Sequence, residues 1–347
     1  MTQLENKSQP GTLPFPRLWC PPLTHYKPNG EIDAARITAH WQFMKPHVNA
    51  FLVPGSTGDV WEMDDAEIKA VLSLSLELAQ KQGSQLLLGA LKPDASSTLN
   101  CIEEMLSQLK AFSGKQDSQE AMLACNVVGF VICPPRGKEI SEQEMESAIR
   151  SVLNLGLPTA VYQLPQVTEN EMPAELVSRL SEAYPNLKLL KDSSGEDKVA
   201  NEIHANTPLF LVRGAEGNYA NWLQETGGPY RGLLLSTANS FPSQLRKIVD
   251  SLEAGEIDKA QEISDQLTSV VARAFDLVAS LPDGNAFANA NKAFDHFMAW
   301  GDAAHSAPLP RLHAGSSLPE EIIHQVENIL QQADLLPSQG YLSTHSG

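Results

Sequence analysis

Cysteine is scarce in this chain: four residues in 347, at positions 20, 101, 125 and 133, none at the short paired spacing of a zinc knuckle or redox motif. That excludes a disulfide framework as the source of stability. The nine histidines form neither H-x-H nor H-E-x-x-H, so no metal is expected. No nucleotide-binding loop is present either. Gly214-Ala215-Glu216-Gly217 lacks both the G-x-G-x-x-G and the Walker pattern, and no cofactor is expected. No apolar run reaches the length of a membrane span. The opening MTQLENKSQPGTLPFP is polar and lacks the apolar centre of a secretory signal, which makes a reducing cytoplasm the expected compartment. Positive charge is short as well, with 25 Lys and Arg against 42 Asp and Glu, a formal net charge of −17. Such a surface repels nucleic acid and anionic membranes, so neither is expected as a partner.

What the chain has is alternation. Short apolar runs recur at 18–23, 50–55, 85–91, 126–133, 158–164, 187–191, 209–214 and 230–236. Most are apolar at successive positions, as parallel strands buried on both faces are. Between them lie segments of helical spacing, such as 174–184 with Leu176, Val177 and Leu180 on one stripe. Capping-box patterns at Asp64/Glu67, Ser141/Glu144, Thr168/Glu171 and Ser193/Glu196 each follow a proposed strand by a few residues. Eight strands with helical crossovers predict an α/β fold, a closed (β/α)8 TIM barrel, with a doubly wound open sheet as competitor. After Ser236 the pattern is helical only, over 244–254, 257–279, 286–300 and 319–333. The expected organisation is a mobile tail 1–16, a barrel 17–242, a helical C-terminal extension 243–334 and a mobile tail 335–347.

Barrel enzymes carry their sites at the carboxyl ends of the strands. There stand Gly55-Ser56-Thr57-Gly58-Asp59, Tyr162-Gln163-Leu164-Pro165, Lys191-Asp192-Ser193-Ser194-Gly195, Arg213-Gly214 and Ser236-Thr237-Ala238-Asn239. Lys191 closes an apolar run broken only by Lys188. An ammonium among apolar atoms loses solvation, which favours the neutral amine, and a neutral amine can attack a ketone to form an imine. The bland alternative is a surface lysine paired with Asp192. The small 55–59 turn, with two hydroxyls and several N–H groups, can wrap a carboxylate, although such turns are also common as plain connections. Tyr162 is a proton carrier or a buried structural tyrosine. Lys92, the other lysine at a strand end, is followed by an ordinary Pro93-Asp94 turn and ranks below Lys191.

Taken together and in this order, these segments resemble the dihydrodipicolinate synthase / N-acetylneuraminate lyase family of Schiff-base barrels. Gly55–Asp59 is similar to the family's G-[ST]-T-G-E, Tyr162-x-x-Pro165 to its Y-N-x-P, and Lys191–Gly195 to the K-[DE]-[ST]-[ST]-G that carries the imine lysine. Gly214, Gly232 and Thr237-Ala238-Asn239 fall at comparable positions, and the resemblance runs from about residue 17 to 300. It implies that Lys191, Tyr162 and Thr57 are catalytic: Lys191 forms the imine, Tyr162 shuttles the proton and Thr57 relays it. It further implies that Ser56, Thr57, Gly58, Gly214 and Leu234 bind substrate, and that the assembly is a homo-oligomer, a tetramer or a dimer.

Several positions depart from that pattern. Cys133-Pro134-Pro135-Arg136 stands where many members have a second tyrosine, Val167 where the synthases have an arginine, Gln163 in place of the asparagine and Leu235 in place of a serine; His25 and Tyr26 replace a common Pro-Phe. The missing arginine argues against dihydrodipicolinate synthase itself, whose partner aldehyde is a dicarboxylate. Arg136 and Arg213 are either surface residues or the cation for a second anionic group. The expected activity is a class I aldolase or lyase acting on a 2-oxo acid with pyruvate as the shared fragment, possible substrates including sugar-derived 2-oxo acids. The alternatives are a 2-oxo-3-deoxy sugar acid dehydratase using the same imine and a non-catalytic binding barrel.

Overall fold

The computed structural model describes residues 15–343. All eight predicted strands form: β1 (Leu18–Trp19), β2 (Ala50–Val53), β3 (Gln85–Gly89), β4 (Val127–Ile132), β5 (Thr159–Gln163), β6 (Leu187–Asp192), β7 (Phe210–Arg213) and β8 (Gly232–Leu234). Every pairing is parallel, in the sheet order β1-β8-β7-β6-β5-β4-β3-β2. The two ends meet at Cys20: its N–H donates to Ala50 O and its carbonyl accepts from Leu52 N–H, both at 3.0 Å. The sheet is therefore a closed barrel, and the open-sheet competitor falls away. Nearly every strand residue is buried, as continuous rather than alternating apolar runs require.

The helices are α1 (Ala34–Met44), α2 (Asp65–Gln82), α3 (Ala95–Ser113), α4 (Ser118–Ala124), α5 (Glu142–Leu153), α6 (Pro165–Thr168), α7 (Ala174–Ala183), α8 (Lys198–Ile203), α9 (Pro242–Glu253), α10 (Ile257–Val278), α11 (Ala286–Trp300) and α12 (Glu320–Gln332). α7 buries Leu176, Val177 and Leu180, the expected stripe. Truncating a core leucine such as Leu180 to alanine costs about 2–5 kcal/mol. Asp64/Glu67 and Ser141/Glu144 form reciprocal capping boxes. The other two pairs do not cap. Thr168 closes α6, its hydroxyl on Leu164 O and Asn170 O, and Ser193 turns into the barrel mouth. Spacing alone could not tell a cap from a serine taken up by the site.

α9 follows β8 directly and packs against β1, so the eighth helix of the ring is one that the sequence pattern assigns to the extension. An amphipathic stripe looks the same whether it faces a barrel or a neighbouring helix. α10, α11 and α12 pack on one another beyond it. Parts of the expected tails are held. The Phe15 ring packs tilted against that of Phe210, centroids 5.5 Å apart, and Pro16 O accepts from Trp19 Nε1. Residues 335–343 fold back on α11: Tyr341 stacks on His40 at 5.7 Å and its hydroxyl donates to Asp295 at 2.9 Å. The remainder of those two segments lies outside the described residues. None of the described helices is long and apolar enough to cross a membrane.

Candidate active site

Lys191 is the fifth residue of β6 and pairs in register with Tyr162 on β5 and Val212 on β7. Parallel register partners share a face, so the lysine and the phenol project together. Both are buried, at 3% exposure each, and Lys191 Nζ lies 4.0 Å from the centroid of the Tyr162 ring. Asp192, next along the strand, projects the other way: its Oδ1 accepts from the N–H and hydroxyl of Ser194 at 2.9 and 2.7 Å. The surface pair Lys191–Asp192 therefore does not exist. Burial raises the Asp192 carboxyl above the usual carboxylate range, against the Ser194 bonds that lower it.

The room around Lys191 is made by Gly214. A Cβ there would stand 2.7 Å from Lys191 Cε and 2.1 Å from Ser193 Oγ. Ser193, rather than Thr57, is the partner of the phenol: its hydroxyl donates to Tyr162 OH over 3.4 Å. Cys133, at the end of β4, is buried close enough to feel the charge of Lys191. Desolvation nevertheless holds its thiol well above the ordinary cysteine range, so it sits there as a neutral group. Leu234 is fully buried and lies two residues beyond Gly232, the register partner of Val212, which puts it on the face that carries Lys191.

The 55–59 turn is a short 3-10 turn, Ser56–Gly58, closed by N–H bonds from Gly58 and Val60 to Gly55 O and from Asp59 to Ser56 O. Its leading amides, Ser56 and Thr57, have no carbonyl one turn before them, the general condition for anion binding at such a start. Ser56 Oγ accepts from Trp61 Nε1 at 2.9 Å, and Thr57 is buried. Gly58 has no alternative, since a Cβ would stand 2.7 Å from Pro22 O. Gln163, the residue in place of asparagine, is turned to the backbone of Met172 and holds the loop after α6.

Sequence reasoning passed over Glu216, tested only as part of an absent glycine motif. Its carboxylate accepts from the Ser236 and Thr237 hydroxyls, both at 2.6 Å, from Thr237 N–H at 3.1 Å and from Tyr219 OH at 3.0 Å. Glu216 follows the carboxyl end of β7 and bonds Ser236 and Thr237, which follow the carboxyl end of β8, so the carboxylate sits on the barrel face where β6 ends after Lys191. An acid three residues past a barrel strand was the available signal. The two arginines are elsewhere. Arg213 is buried in a bidentate pair with Asp197, at 3.0 Å on both arms, and lies under Trp222. It is therefore neither a surface residue nor a free cation. Arg136 is exposed, 3.9 Å from Glu169. Lys92 pairs with Asp65.

His25, His40 and Asp295 bring three potential metal donors together, yet both Asp295 oxygens are already taken, Oδ2 by Arg36 at 2.7 Å and Oδ1 by Tyr341. His40 Nε2 donates to Asn239 O, so its Nδ1 accepts from His25 Nε2. The cluster is a hydrogen-bonded network with a cation already in it, and it fits a metal poorly.

Comparison with known sequences agrees with this geometry. The dihydrodipicolinate synthetase family model matches residues 106–282, just over half of the chain and the stretch carrying Tyr162, Lys191 and Glu216. The chain belongs to the dihydrodipicolinate synthetase family. That family consists of aldolases and lyases acting on pyruvate-type substrates, and the chain is an enzyme of this class. It is 26% identical over 234 residues to a 4-hydroxy-tetrahydrodipicolinate synthase of Magnetococcus marinus, covering 67% of this chain and 73% of that one. It is 22% identical over 267 residues to a probable mitochondrial 4-hydroxy-2-oxoglutarate aldolase of Emericella nidulans, covering 75% and 79%. Among solved structures, the prophage protein YagE of E. coli K12, in complex with pyruvate, superposes with a TM-score of 0.72 at 19% identity, covering 91% of this chain and 98% of that one.

Proposed function

We propose that this family member is a class I lyase that binds a 2-oxo acid as an imine on Lys191 and makes or breaks the bond between C3 and C4. The observation that carries this reading is the buried Lys191 amine 4.0 Å above the Tyr162 ring, with Gly214 clearing its path. The amine, as free base, adds to the C2 carbonyl. The carbinolamine loses water to give a protonated imine, which draws electrons from the C3–C4 bond. The C4 hydroxyl gives its proton to Tyr162 as that bond breaks and an aldehyde leaves. The enamine takes a proton at C3, and water then releases pyruvate from Lys191. Ser193, bonded to the phenol, is the relay that the geometry supports, and the Ser56–Thr57 amides take the C1 carboxylate.

The rest of the substrate meets Glu216, Ser236 and Thr237. The Glu216 carboxylate, its oxygens filled by protein donors, disfavours a second anionic group, and Arg213 and Arg136 each already lie beside an acid, Asp197 and Glu169. This supports a hydroxylated 2-oxo acid, sugar-derived, over the dicarboxylic partner of a dihydrodipicolinate synthase. Assembly as a homo-oligomer remains part of the proposal, on the family resemblance.

The test is incubation with pyruvate and borohydride, peptide mapping of the adduct, and turnover on a panel of hydroxylated 2-oxo acids. Adduct on Lys191 with aldehyde release is expected. No adduct ends the reading. Adduct without turnover favours the binding-protein alternative, and water loss without aldehyde favours the dehydratase.

A further inference from the structure

The 55–59 turn is gripped from outside the barrel. On α11, two residues seven apart reach it, the spacing that puts two side chains on one helical face. At one end Asn285 Nδ2 donates to Ser56 O over 3.1 Å while the same amide's oxygen caps α11 by accepting from Ala288 N–H. At the other end Lys292 Nζ lies 2.7 Å from Asp59 Oδ2, with both side chains 2% exposed. Asp59 also accepts from Tyr26 OH at 3.1 Å, and it holds the left-handed conformation (φ 65°) that ends the turn. Thr24 Oγ1 donates to Gly58 O at 2.8 Å. The turn's Ser56 and Gly58 carbonyls and its acid are thus fixed by groups outside it.

Charge adds a second consequence. Asp59 stands two residues from Thr57. Unpaired, its carboxylate would leave a buried negative charge close in the chain to the anion that the turn is proposed to bind, and at low effective dielectric such like-charge repulsion is large. Lys292 cancels it at contact distance. A buried pair of this kind is poor evidence for stability, since desolvation offsets most of its attraction, so a role in the site is the better account of it.

We propose that Lys292 and Asn285 are positioning residues for the substrate carboxylate, so that the helical extension sets the affinity of a site built on the barrel. This rests on the turn being the carboxylate site. The experiment measures the pyruvate concentration for half-maximal borohydride trapping on Lys191 and the saturating trapping rate, with dihydroxyacetone as a ketone that has no carboxylate. Asn285→Asp keeps the helix cap and deletes the donor to Ser56. Lys292→Met leaves Asp59 unpaired, and the double variant Asp59→Asn/Lys292→Met removes the charge and guards against a single variant that fails to fold.

Half-saturation by pyruvate is expected to rise about tenfold in Asn285→Asp and at least as much in Lys292→Met, the loss of one charge-assisted contact. The saturating rate stays within about twofold, dihydroxyacetone trapping is unchanged, and the double variant lies nearer the parent than Lys292→Met. Folded Asn285→Asp and double variants with parental half-saturation overturn the proposal, as does an equal loss with dihydroxyacetone. The reading beneath it fails separately: if Thr57→Val and Ser56→Ala also leave pyruvate half-saturation unchanged, the turn is not the carboxylate site, and without adduct in the parent both ideas fall.

Discussion

Gly214 and Lys191 occupy one another's space: a methyl on the glycine would meet the lysine's Cε at 2.7 Å. Because Ser193 Oγ would be still closer to that methyl, neither neighbour can retreat without disturbing the other. Gly214→Ala is expected to displace the amine from the Tyr162 ring. Misplacement by about an ångström costs on the order of a hundredfold in rate, and overpacking of this kind costs about 1–3 kcal/mol of stability. Borohydride trapping with pyruvate and thermal melts read the two effects separately. Parental trapping in Gly214→Ala would show that the lysine reaches the ketone by another path.

Ser193→Ala separates binding from chemistry. If its hydroxyl carries the phenol's proton, imine formation and borohydride trapping stay close to parental while aldehyde release slows by about a hundredfold, the usual worth of a positioned proton-transfer group. Thr57→Val is expected to act mainly on half-saturation. The reverse pattern, with turnover lost in Thr57→Val and kept in Ser193→Ala, would return the relay to Thr57.

The strands, the stripe of α7 and the place of Lys191 were all legible because they follow from local pattern: unbroken apolar runs for two-sided burial, and a lysine ending one of them. The family resemblance then named the site residues as a set. What stayed hidden depends on contacts between residues far apart. Nothing local says that Lys292 will meet Asp59, or that Arg213 will be locked to Asp197 instead of facing substrate. Ser193 and Glu216 were passed over for a different reason. Glu216 failed to match a glycine loop, and Ser193, though placed at a strand end, also matched a helix cap and carried no role of its own.

Arg213 and Asp197 make a buried pair that also takes Tyr230 OH on the acid and the Ala215 and Gly217 carbonyls on the arginine. Removing one member leaves a charge in the dark. Arg213→Met or Asp197→Asn is expected to lose about 3–5 kcal/mol in urea unfolding, and the double replacement Arg213→Met/Asp197→Asn less than the sum of the single losses. Additive losses would mean that the two groups act on stability independently.

His25 and His40 give the fold a pH dependence with a definite sign. Burial, helped by the Arg36 guanidinium, pushes both imidazoles below the ordinary histidine value, against the pull of Asp295, and burial lowers His296 likewise. Above about pH 6.5 folded and unfolded chains are both neutral there, and no dependence arises. As pH falls below that value the unfolded chain takes up protons that the folded one refuses, so stability declines by about 1.4 kcal/mol per pH unit for each refused proton. Asp295, held low by His40, Arg36 and His25 against the burial that would raise it, adds to the loss only below about pH 3.9, whereas the raised Asp192 carboxyl works the other way as pH approaches 4. The window is therefore roughly pH 6.5 to 4. His25→Gln keeps a donor to His40 Nδ1 and deletes the titration, so urea unfolding at pH 7, 6 and 5 should show a slope shallower by up to one proton. An unchanged slope would place the acid sensitivity on other groups.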